Sequence, residues 1–243
     1  MAAVLEAPDT LTLLKSALLA RELARPRSLQ VEIGPSSLGT CRRQVGFKLT
    51  GQPEVQETEL LPAILGTGVH SMIETALESD AFKETFEANG YLVEVEAPGI
   101  PGLIGPAHVD LYQPLRTTVT DWKSSTLKSR RYFPKANQWW QVDTYGLLLE
   151  LAGYTVTDVE LVLIPRDGYF KDIQLARKPY DRDNAQEALA WLEERHAEAD
   201  SGHRGAPDYT GKICELFCPF YGPTTCLGAG KDALLKVAGS VQS

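Results

Sequence analysis

The residues with the clearest chemical potential are an acid and, eleven positions later, an acid-x-lysine tripeptide. They are Asp110 and the run Asp121-Trp122-Lys123, in a stretch that predicts a β-hairpin. Two carboxylates suit a hard divalent cation, and a nearby ammonium can align or activate an attacking water. The pattern therefore indicates metal-dependent phosphodiester cleavage, with Asp110, Asp121 and Lys123 as candidate catalytic residues. The competing interpretation is a surface hairpin with a cross-strand charge pair.

The register of the predicted hairpin decides whether the two carboxylates can share an ion. Its strands are expected over 104–112 and 117–125, and a turn centred midway between them places Asp110 directly opposite Asp121. Opposed residues share a face, with Cβ atoms about 4.5–5.5 Å apart. The two-residue period puts Lys123 on that face as well and turns the intervening tryptophan toward the core. A slip of one position would separate the carboxylates.

A histidine near the start of a predicted helix is a further candidate ligand. The helix is expected over 66–79, and His70 follows Gly66 and Gly68, which let the backbone approach a neighbour closely. Histidine combined with carboxylates suits Mn²⁺ as well as Mg²⁺. The competing interpretation is a histidine at the edge of an apolar helix stripe, with no metal bound.

A glutamine and a tyrosine one helical turn apart are further candidate catalytic residues, expected at the mouth of the same site. Gln141 and Tyr145 lie on a helix predicted over 137–152, and their spacing places both polar tips on one face. An amide and a phenol can form hydrogen bonds to a phosphate, and the phenol ring can stack on a base. The alternative is a polar stripe on a helix whose other side is core.

The segment between the acid pair and that helix is basic, although the chain as a whole is acidic. From Trp122 to Val142 there are five basic residues and no acid, in a chain of net charge −8. Aromatic residues are interleaved with them, and basic side chains contact phosphates while aromatic rings stack on unpaired bases. Four of the basic residues are candidate DNA-binding residues: Lys128, Arg130, Arg131 and Lys135. The alternative is a solvated loop that is followed by core tryptophans.

The four cysteines of the chain are unevenly placed. Cys214, Cys218 and Cys226 fall within thirteen positions, and Cys41 lies far upstream. Clustered cysteines in a reducing compartment more often bind metal or do redox chemistry than form disulfides. Four thiolates can hold tetrahedral Zn²⁺ or a 4Fe-4S cluster, and the spacing favours neither. Either group would clamp the C-terminal segment onto the N-terminal helical part.

Composition bounds the class of protein. With 243 residues, 43% of them hydrophobic, the chain is expected to form one domain with a sizeable core. It divides into an N-terminal helical part over 1–60, a core over 61–200 and a cysteine segment over 201–243. No apolar run is long enough to span a membrane, and the first ten residues lack the pattern of a signal peptide, which favours a cytoplasmic protein.

Hydrophobic periodicity predicts an α/β protein with a mixed sheet flanked by helices. Helices are expected over 11–24, 35–51, 66–79, 137–152 and 181–199. Strands are expected over 91–96, 104–112, 117–125, 159–164 and 169–175. The continuous apolar run over 159–164 is typical of a buried central strand.

In their order and separations, these residues resemble the RecB-like branch of the PD-(D/E)XK nucleases over roughly 36–226. The likeness is strongest to the CRISPR-associated RecB-family exonucleases and the related iron–sulfur nucleases, including the AddB nuclease domain. It rests on the following positions: the segment 37–42 with Cys41, then His70, Asp110, Asp121-x-Lys123, Gln141-x-x-x-Tyr145, and finally Cys214, Cys218 and Cys226.

The resemblance implies a fold and a metal site. The fold is a restriction-endonuclease-like central sheet flanked by helices, with the N-terminal part clamped to the C-terminus by a cluster on the four cysteines. A Mg²⁺ or Mn²⁺ ion is implied, with four ligands: His70, Asp110, Asp121 and the Trp122 carbonyl. By the same likeness Lys123 assists the nucleophilic water.

The resemblance also implies a cofactor and an activity. The four cysteines would hold a 4Fe-4S cluster, with structural Zn²⁺ as the alternative. The implied activity is cleavage of DNA, usually single-stranded, from an end. Two other functions are compatible with the residues: a DNA-binding or assembly subunit without catalysis, and an endonuclease on duplex DNA. The intact acid–acid–lysine set argues against the first of these. DNA is the expected partner, no membrane is expected, and a homo-oligomer or a DNA-processing complex is compatible with the chain.

Overall fold

The computed structural model describes residues 9–24 and 32–230. The helices are α1 (Thr10–Leu23), α2 (Arg42–Leu49), α3 (Leu61–Leu77), α4 (Lys83–Asn89), α5 (Ala136–Leu151), α6 (Arg182–Asp200) and α7 (Lys212–Phe217). The strands are β1 (Leu92–Ala97), β2 (Ala107–Gln113), β3 (Thr118–Ser125), β4 (Asp158–Pro165) and β5 (Gln174–Pro179). Short 3₁₀ helices form at Pro35–Ser37, Pro114–Arg116, Leu127–Tyr132 and Phe170–Asp172. The start of the predicted N-terminal part and the end of the predicted cysteine segment, 1–8 and 231–243, lie outside the described residues.

A five-stranded sheet forms the centre of the molecule, in the order β1-β2-β3-β4-β5. β3 and β4 run parallel, and the other neighbouring strands are antiparallel. Parallel neighbours need a crossover connection, and α5 supplies it between β3 and β4. The predicted class, an α/β fold with a mixed central sheet flanked by helices, is confirmed.

The helix α5 organises the core. It packs on β3 and β4, and α6 packs against it. Its residues 141–149 are all buried, so each polar group among them needs a partner. Asp143 accepts hydrogen bonds from Lys178 Nζ at 2.6 Å and from the Asp181 backbone N–H at 3.2 Å. These bonds tie α5 to β5 and to the start of α6, and they hold α5 in a fixed position above the sheet.

β2 and β3 adopt the register that the sequence predicts. The paired residues are Leu111 with Thr120, Tyr112 with Val119, and Gln113 with Thr118. Thr117 closes the turn in a left-handed conformation, with φ +47°. One further step along both strands puts Asp110 opposite Asp121, so the predicted register of the hairpin is confirmed.

Two predicted helices have different boundaries in the structure. The helix expected over 35–51 is interrupted because Gly39 has φ +64°, a left-handed conformation that ends a helix, and α2 begins only at Arg42. α3 begins at Leu61 rather than at residue 66, with Pro62 in its first turn, where proline costs no hydrogen bond. The earlier start adds more than one turn to the helix that carries the candidate histidine.

The connection between β4 and β5 also differs from the prediction. β5 begins at Gln174 rather than at residue 169, because Phe170–Asp172 form a 3₁₀ helix instead of a strand. The Asp172 side chain accepts the Tyr169 backbone N–H at 3.0 Å and so caps this helix. A short helix that periodicity did not predict, α4, precedes β1.

α1 lies at the surface, with most of its leucines exposed. Its start is fixed by Asp9, whose side chain accepts the backbone N–H groups of Leu11 and Thr12. In the described ranges, neither this helix nor any other combines the length and apolarity needed to cross a lipid bilayer.

The N-terminal and C-terminal segments contact one another directly. Arg42 donates hydrogen bonds to the Asp208 carboxylate from its backbone at 2.7 Å and from its guanidinium at 2.6 and 2.9 Å. Phe47 packs on Phe220, with ring centroids 5.0 Å apart. These contacts join the two segments without involving a thiol.

Candidate active site

The hairpin brings two buried carboxylates to one face of the sheet. Asp110 on β2 is buried, and Asp121 on β3 is only 2% exposed. Asp110 Oδ2 accepts the backbone N–H of Trp122 at 2.7 Å, next to the point where the β2–β3 ladder ends. His70 on α3 has its Nδ1 atom 3.2 Å from Asp110 Oδ1. His70 and Asp110 are therefore in contact, and Asp121 lies one step beyond the Leu111–Thr120 pair, across from Asp110.

Lys123 belongs to a closed polar network around Asp121. Lys123 Nζ lies 2.6 Å from Asp121 Oδ2 and donates a hydrogen bond to Gln141 Oε1 at 2.7 Å. Gln141 Nε2 donates in turn to Asp121 Oδ1 at 3.2 Å and to Tyr145 Oη at 2.9 Å. Asp121 and Lys123 lie two residues apart on β3, and Gln141 and Tyr145 lie one turn apart on α5. Together they form one hydrogen-bonded network around the Lys123 ammonium group.

The structure corrects the expected position of Gln141 and Tyr145. Both were expected at the mouth of the site, in contact with a phosphate or a base. Both side chains are buried behind Lys123, because α5 packs directly on β3 at this point. Their contacts in the structure position the lysine and its carboxylate partner.

Burial sets the protonation of Asp121. Removal from water raises the pKa of Asp121 to about 6, although the adjacent Lys123 lowers it and the charge of Asp110 raises it further. Its Oδ2 atom lies at ion-pair distance from Lys123 but accepts no well-directed hydrogen bond from the described residues. A buried carboxylate with an unsatisfied oxygen, close to a second carboxylate, is stabilised in its charged form by a cation. The donor set therefore fits a divalent ion.

His70 is oriented by Asp110. Burial lowers the pKa of His70, but the hydrogen bond and the negative charge of Asp110 outweigh burial, so the pKa is raised overall. His70 Nδ1 and Asp110 Oδ1 would both be available as ligands to a cation, which would compete with the proton that they share. The ligand role of His70 stays a prediction.

The structure adds Glu94 to the site, a residue that sequence patterns did not single out. His70, Glu94 and Asp110 each offer a ligand atom, and these atoms lie within 4.8 Å of one another. The pairing of β1 with β2 places Glu94 opposite Asp110. Glu94 has φ +47°, a left-handed conformation that is uncommon for glutamate, and strain of this kind clusters at functional sites. The sequence signal that could have identified Glu94 is the alternation of Glu94 and Glu96 with apolar residues along the predicted strand.

Trp122 lies between the two site residues of β3. By strand alternation its ring points away from the face that carries Asp121 and Lys123, and the residue is half-buried rather than enclosed by the core. Its backbone N–H is already bound by Asp110. The role of its carbonyl as a metal ligand stays a prediction.

The predicted DNA-binding residues follow β3 directly, on the 3₁₀ helix Leu127–Tyr132 and in the chain after it. Three of them are exposed: Lys128, Arg131 and Lys135. Arg130 differs, because its guanidinium forms an ion pair with Asp172 at 3.0 Å. Trp139 and Trp140 are half-buried and pack against the main core, as the core interpretation of these tryptophans expects.

The four cysteines are free thiols gathered near one another. Three are buried and Cys218 is half-buried. Burial is the main cause that raises the pKa of the Cys214 thiol to about 11, and the charges of the other three thiolates add to it. Four thiolates at these positions therefore need a cation to coexist.

The sulfur atoms of the cysteines are partly bound by backbone groups. Cys41 Sγ accepts the Asp208 N–H at 3.5 Å, and Cys226 Sγ accepts the Gly228 N–H at 3.4 Å. Where cysteines ligate an iron–sulfur cluster, hydrogen bonds to their sulfur atoms are one determinant of its reduction potential. In the described structure no three of these Sγ atoms lie within 4.8 Å of one another.

Comparison with known proteins supports the fold. No protein-family model matches the chain, and no curated protein matches it. The crystal structure of SSO0001 is similar over 91% of this chain and 99% of that chain, with 20% identity and a TM-score of 0.55. At that identity the likeness shows a shared fold alone.

Two exonuclease structures are more distant. An alkaline exonuclease (LHK-Exo) from Laribacter hongkongensis matches 77% of this chain and 93% of its own, with 15% identity and a TM-score of 0.45. A phage-related exonuclease from Haemophilus somnus 129PT matches 70% of this chain and 96% of its own, with 16% identity and a TM-score of 0.41. With TM-scores below 0.5, these likenesses support no conclusion about the activity of this chain.

Proposed function

We propose that the protein is a metal-dependent deoxyribonuclease that hydrolyses single-stranded DNA from an end. One observation carries the proposal: Asp121 and Asp110 are buried opposite one another, with the ammonium of Lys123 2.6 Å from Asp121. Two carboxylates and a lysine are costly to bury without a function, because like charges repel and desolvation disfavours the charged forms. Phosphodiester hydrolysis uses all three groups.

The ion would be held at the end of the β1–β2–β3 face. His70, Glu94 and Asp110 form one tight group, and Asp121 with the Trp122 carbonyl would supply the remaining ligands. Mg²⁺ or Mn²⁺ bound there would polarise the scissile phosphate and lower the pKa of an attacking water. The mixture of imidazole and carboxylates suits either ion, with imidazole favouring Mn²⁺.

Lys123 supplies the positive charge next to the reacting phosphate. Its ammonium is held by Asp121 and Gln141, and Gln141 is held in turn by Tyr145. A cation fixed before the reaction stabilises the charge that develops on the phosphate oxygens and orients the water. Hydrolysis then adds the water oxygen to phosphorus, and the departing sugar oxygen takes up a proton.

The preference for a single strand is supported by the surface beyond β3. The 3₁₀ helix Leu127–Tyr132 presents Lys128 and Arg131, and the Arg131 guanidinium lies 4.7 Å from the Tyr132 ring centre. Basic side chains interleaved with aromatic rings bind the phosphates and bases of unpaired strands. Attack from an end is what the family resemblance implies.

Digestion of DNA with defined ends tests the function. With Mn²⁺ we expect release of nucleotides from an end-labelled linear single strand, no release without divalent metal, and resistance of a closed single-stranded circle. Cleavage of the circle would instead identify an endonuclease. Binding without cleavage under both Mg²⁺ and Mn²⁺ would favour the DNA-binding or assembly subunit.

Replacement of Glu94 tests the ligand set. We expect Glu94→Gln to raise the Mn²⁺ concentration needed for half-maximal cleavage by about 10–100-fold, because a ligand charge is lost. The maximal rate at saturating Mn²⁺ should fall far less. Glu96→Gln is the matched control, since Glu96 lies on the same strand and face but is exposed. Equal metal requirements in Glu94→Gln and the wild type would remove Glu94 from the site.

We also propose that Cys41, Cys214, Cys218 and Cys226 hold a 4Fe-4S cluster. Four thiolates can hold either tetrahedral Zn²⁺ or a 4Fe-4S cluster. The family resemblance favours the cluster, whose iron atoms each take one thiolate. The cluster would reinforce the contacts between the N-terminal helical part and the C-terminal segment within a single domain.

A further inference from the structure

We infer that the connection between β4 and β5 is a base-stacking subsite for the single strand that the active site cleaves. Tyr169 and Phe170 stack on unpaired bases, and Lys171 contacts the phosphates between them. The subsite deepens the proposed function and rests on it, because the adjoining catalytic strand defines the substrate class.

Two aromatic rings of this connection stand in solvent. Phe170 is 94% exposed and Tyr169 is 73% exposed, and no other large hydrophobic residue in the described ranges is as exposed as Phe170. Apolar rings are stabilised by removal from water, and exposed apolar surface marks interaction sites. The two rings are therefore available to a ligand.

The connection is held in a defined conformation by two aspartates. Asp172 forms an ion pair with Arg130 at 3.0 Å, and its other oxygen accepts the Tyr169 N–H at 3.0 Å. Asp167 accepts the backbone N–H of Leu127 at 2.7 Å. The β4–β5 connection is thus fastened to the basic 3₁₀ helix that follows β3.

Close packing around Gly168 also restrains the β4–β5 connection. A Cβ atom at Gly168 would lie 2.7 Å from Pro165 Cγ and 3.2 Å from the Leu127 side chain. Any larger residue at this position would force the side chains of Pro165 or Leu127 to shift. The rings are therefore presented on a preorganised support, which lowers the entropic cost of binding.

The subsite continues directly from the catalytic strand. β3 and β4 are parallel, with Lys123 beside Leu163 and Ser125 beside Pro165. At about 3.3 Å per residue, Ser125 lies about 7 Å beyond Lys123 along the sheet. The β4–β5 connection begins at the next residue, so a strand leaving the active site reaches it within a few nucleotides.

Charge favours a polyanion as the occupant. Residues 126–135 and 166–173 together carry six basic and two acidic residues, in a chain of net charge −8. Both acids are already engaged in the contacts that fix the connection. The Lys171 ammonium lies 5.6 Å from the Tyr169 ring centre, and an apolar groove of about 710 Å³ runs beside Tyr169 and Phe170. Rings with interspersed cations suit the bases and phosphates of an unpaired strand.

The test is the affinity of the full chain for a fluorescently labelled single-stranded oligonucleotide, measured by anisotropy without added divalent metal. We expect Phe170→Ala to weaken binding by about tenfold, the typical effect of losing one stacked base. Phe170→Trp should retain the affinity. Leu115→Ala is the matched control, because Leu115 is 75% exposed on the turn at the opposite end of β3, and it should bind as the wild type does.

An abasic strand of equal length separates stacking from charge. It keeps the phosphates, so the wild type and Phe170→Ala should bind it with equal, weakened affinity. Three results would overturn the subsite. The first is an unchanged affinity of Phe170→Ala for the intact strand. The second is a loss of affinity caused by Phe170→Ala that is as large on the abasic strand as on the intact one. The third is a change in the oligomeric state of Phe170→Ala, measured by light scattering, while its DNA binding is unchanged. The last would identify a contact between copies of the chain.

The proposed function and the subsite fail in different ways. If the wild type does not cleave DNA with Mn²⁺ but its binding depends on Phe170, the nuclease function fails and the subsite stands. If the wild type cleaves and Phe170→Ala binds equally well, the subsite alone fails.

Discussion

Replacing Lys123 by alanine is expected to reduce cleavage of single-stranded DNA by about 10³-fold or more, because a preorganised charge worth several kcal/mol to the transition state is lost. The fold should survive. Lys123→Ala leaves the buried Asp121 with one partner fewer and costs some stability. Gln141 Nε2 still donates to Asp121 Oδ1 at 3.2 Å, and the buried carboxyl takes up a proton when it loses the adjacent cation. Initial rates with Mn²⁺ measure the first effect, and circular dichroism with a thermal melt measures the second.

A second lysine provides a matched control for this experiment. Lys178 lies 2.6 Å from the buried Asp143, the same separation as Lys123 from Asp121, but on β5 and in the structural network of α5. Lys178→Ala should lower the free energy of unfolding, because it leaves the buried Asp143 carboxylate with fewer partners. The folded variant should still cleave single-stranded DNA at the wild-type rate. Near-normal cleavage by Lys123→Ala would contradict the assignment, and so would equal losses in the two variants.

Replacing Cys214 by serine is expected to abolish the visible absorbance of the protein purified without oxygen and to lower its thermal stability markedly. Binding of metal by preorganised thiolates is folding free energy, on the order of several kcal/mol or more. Cys214 is buried on α7, where the C-terminal segment meets the N-terminal helical part. Absorbance spectra, iron and sulfide content and melting curves measure the change.

Ile213→Ala is the control for the cysteine variant. Ile213 adjoins Cys214 on the same helix but is exposed, so its loss should preserve both colour and stability. A colourless wild type with one zinc per chain would replace the iron–sulfur cluster by a zinc site. A wild type without iron or zinc, and with the same stability as Cys214→Ser, would remove the metal clamp altogether.

The hairpin that carries Asp110 and Asp121 could be predicted from sequence because all of its determinants are local. Two short alternating runs and one tight turn fix the register, and with it the face on which Lys123 lies. The position of Gln141 on α5 was also visible as a helical period. Its burial was not, because burial depends on how α5 crosses the sheet.

Glu94 could not be placed by the same reasoning. The connection between β1 and β2 is irregular, with an isolated bridge between Ile100 and Ile104, so no turn type sets the register in advance. The left-handed backbone of Glu94 gives no sequence signal either. The β4–β5 connection was missed because Tyr169 and Phe170 have high strand propensity, and the cap at Asp172 overrides it.

The contact between α2 and the C-terminal segment can form only late in translation. Arg42 and Asp208 are 166 positions apart, and translation at about 5–20 residues per second separates their synthesis by roughly 8–30 s. The hairpin and α5 leave the ribosome well before α2 meets its partner. β2 and β3 can therefore pair on the nascent chain, whereas any cluster on the four thiols is assembled only after Cys226 has emerged.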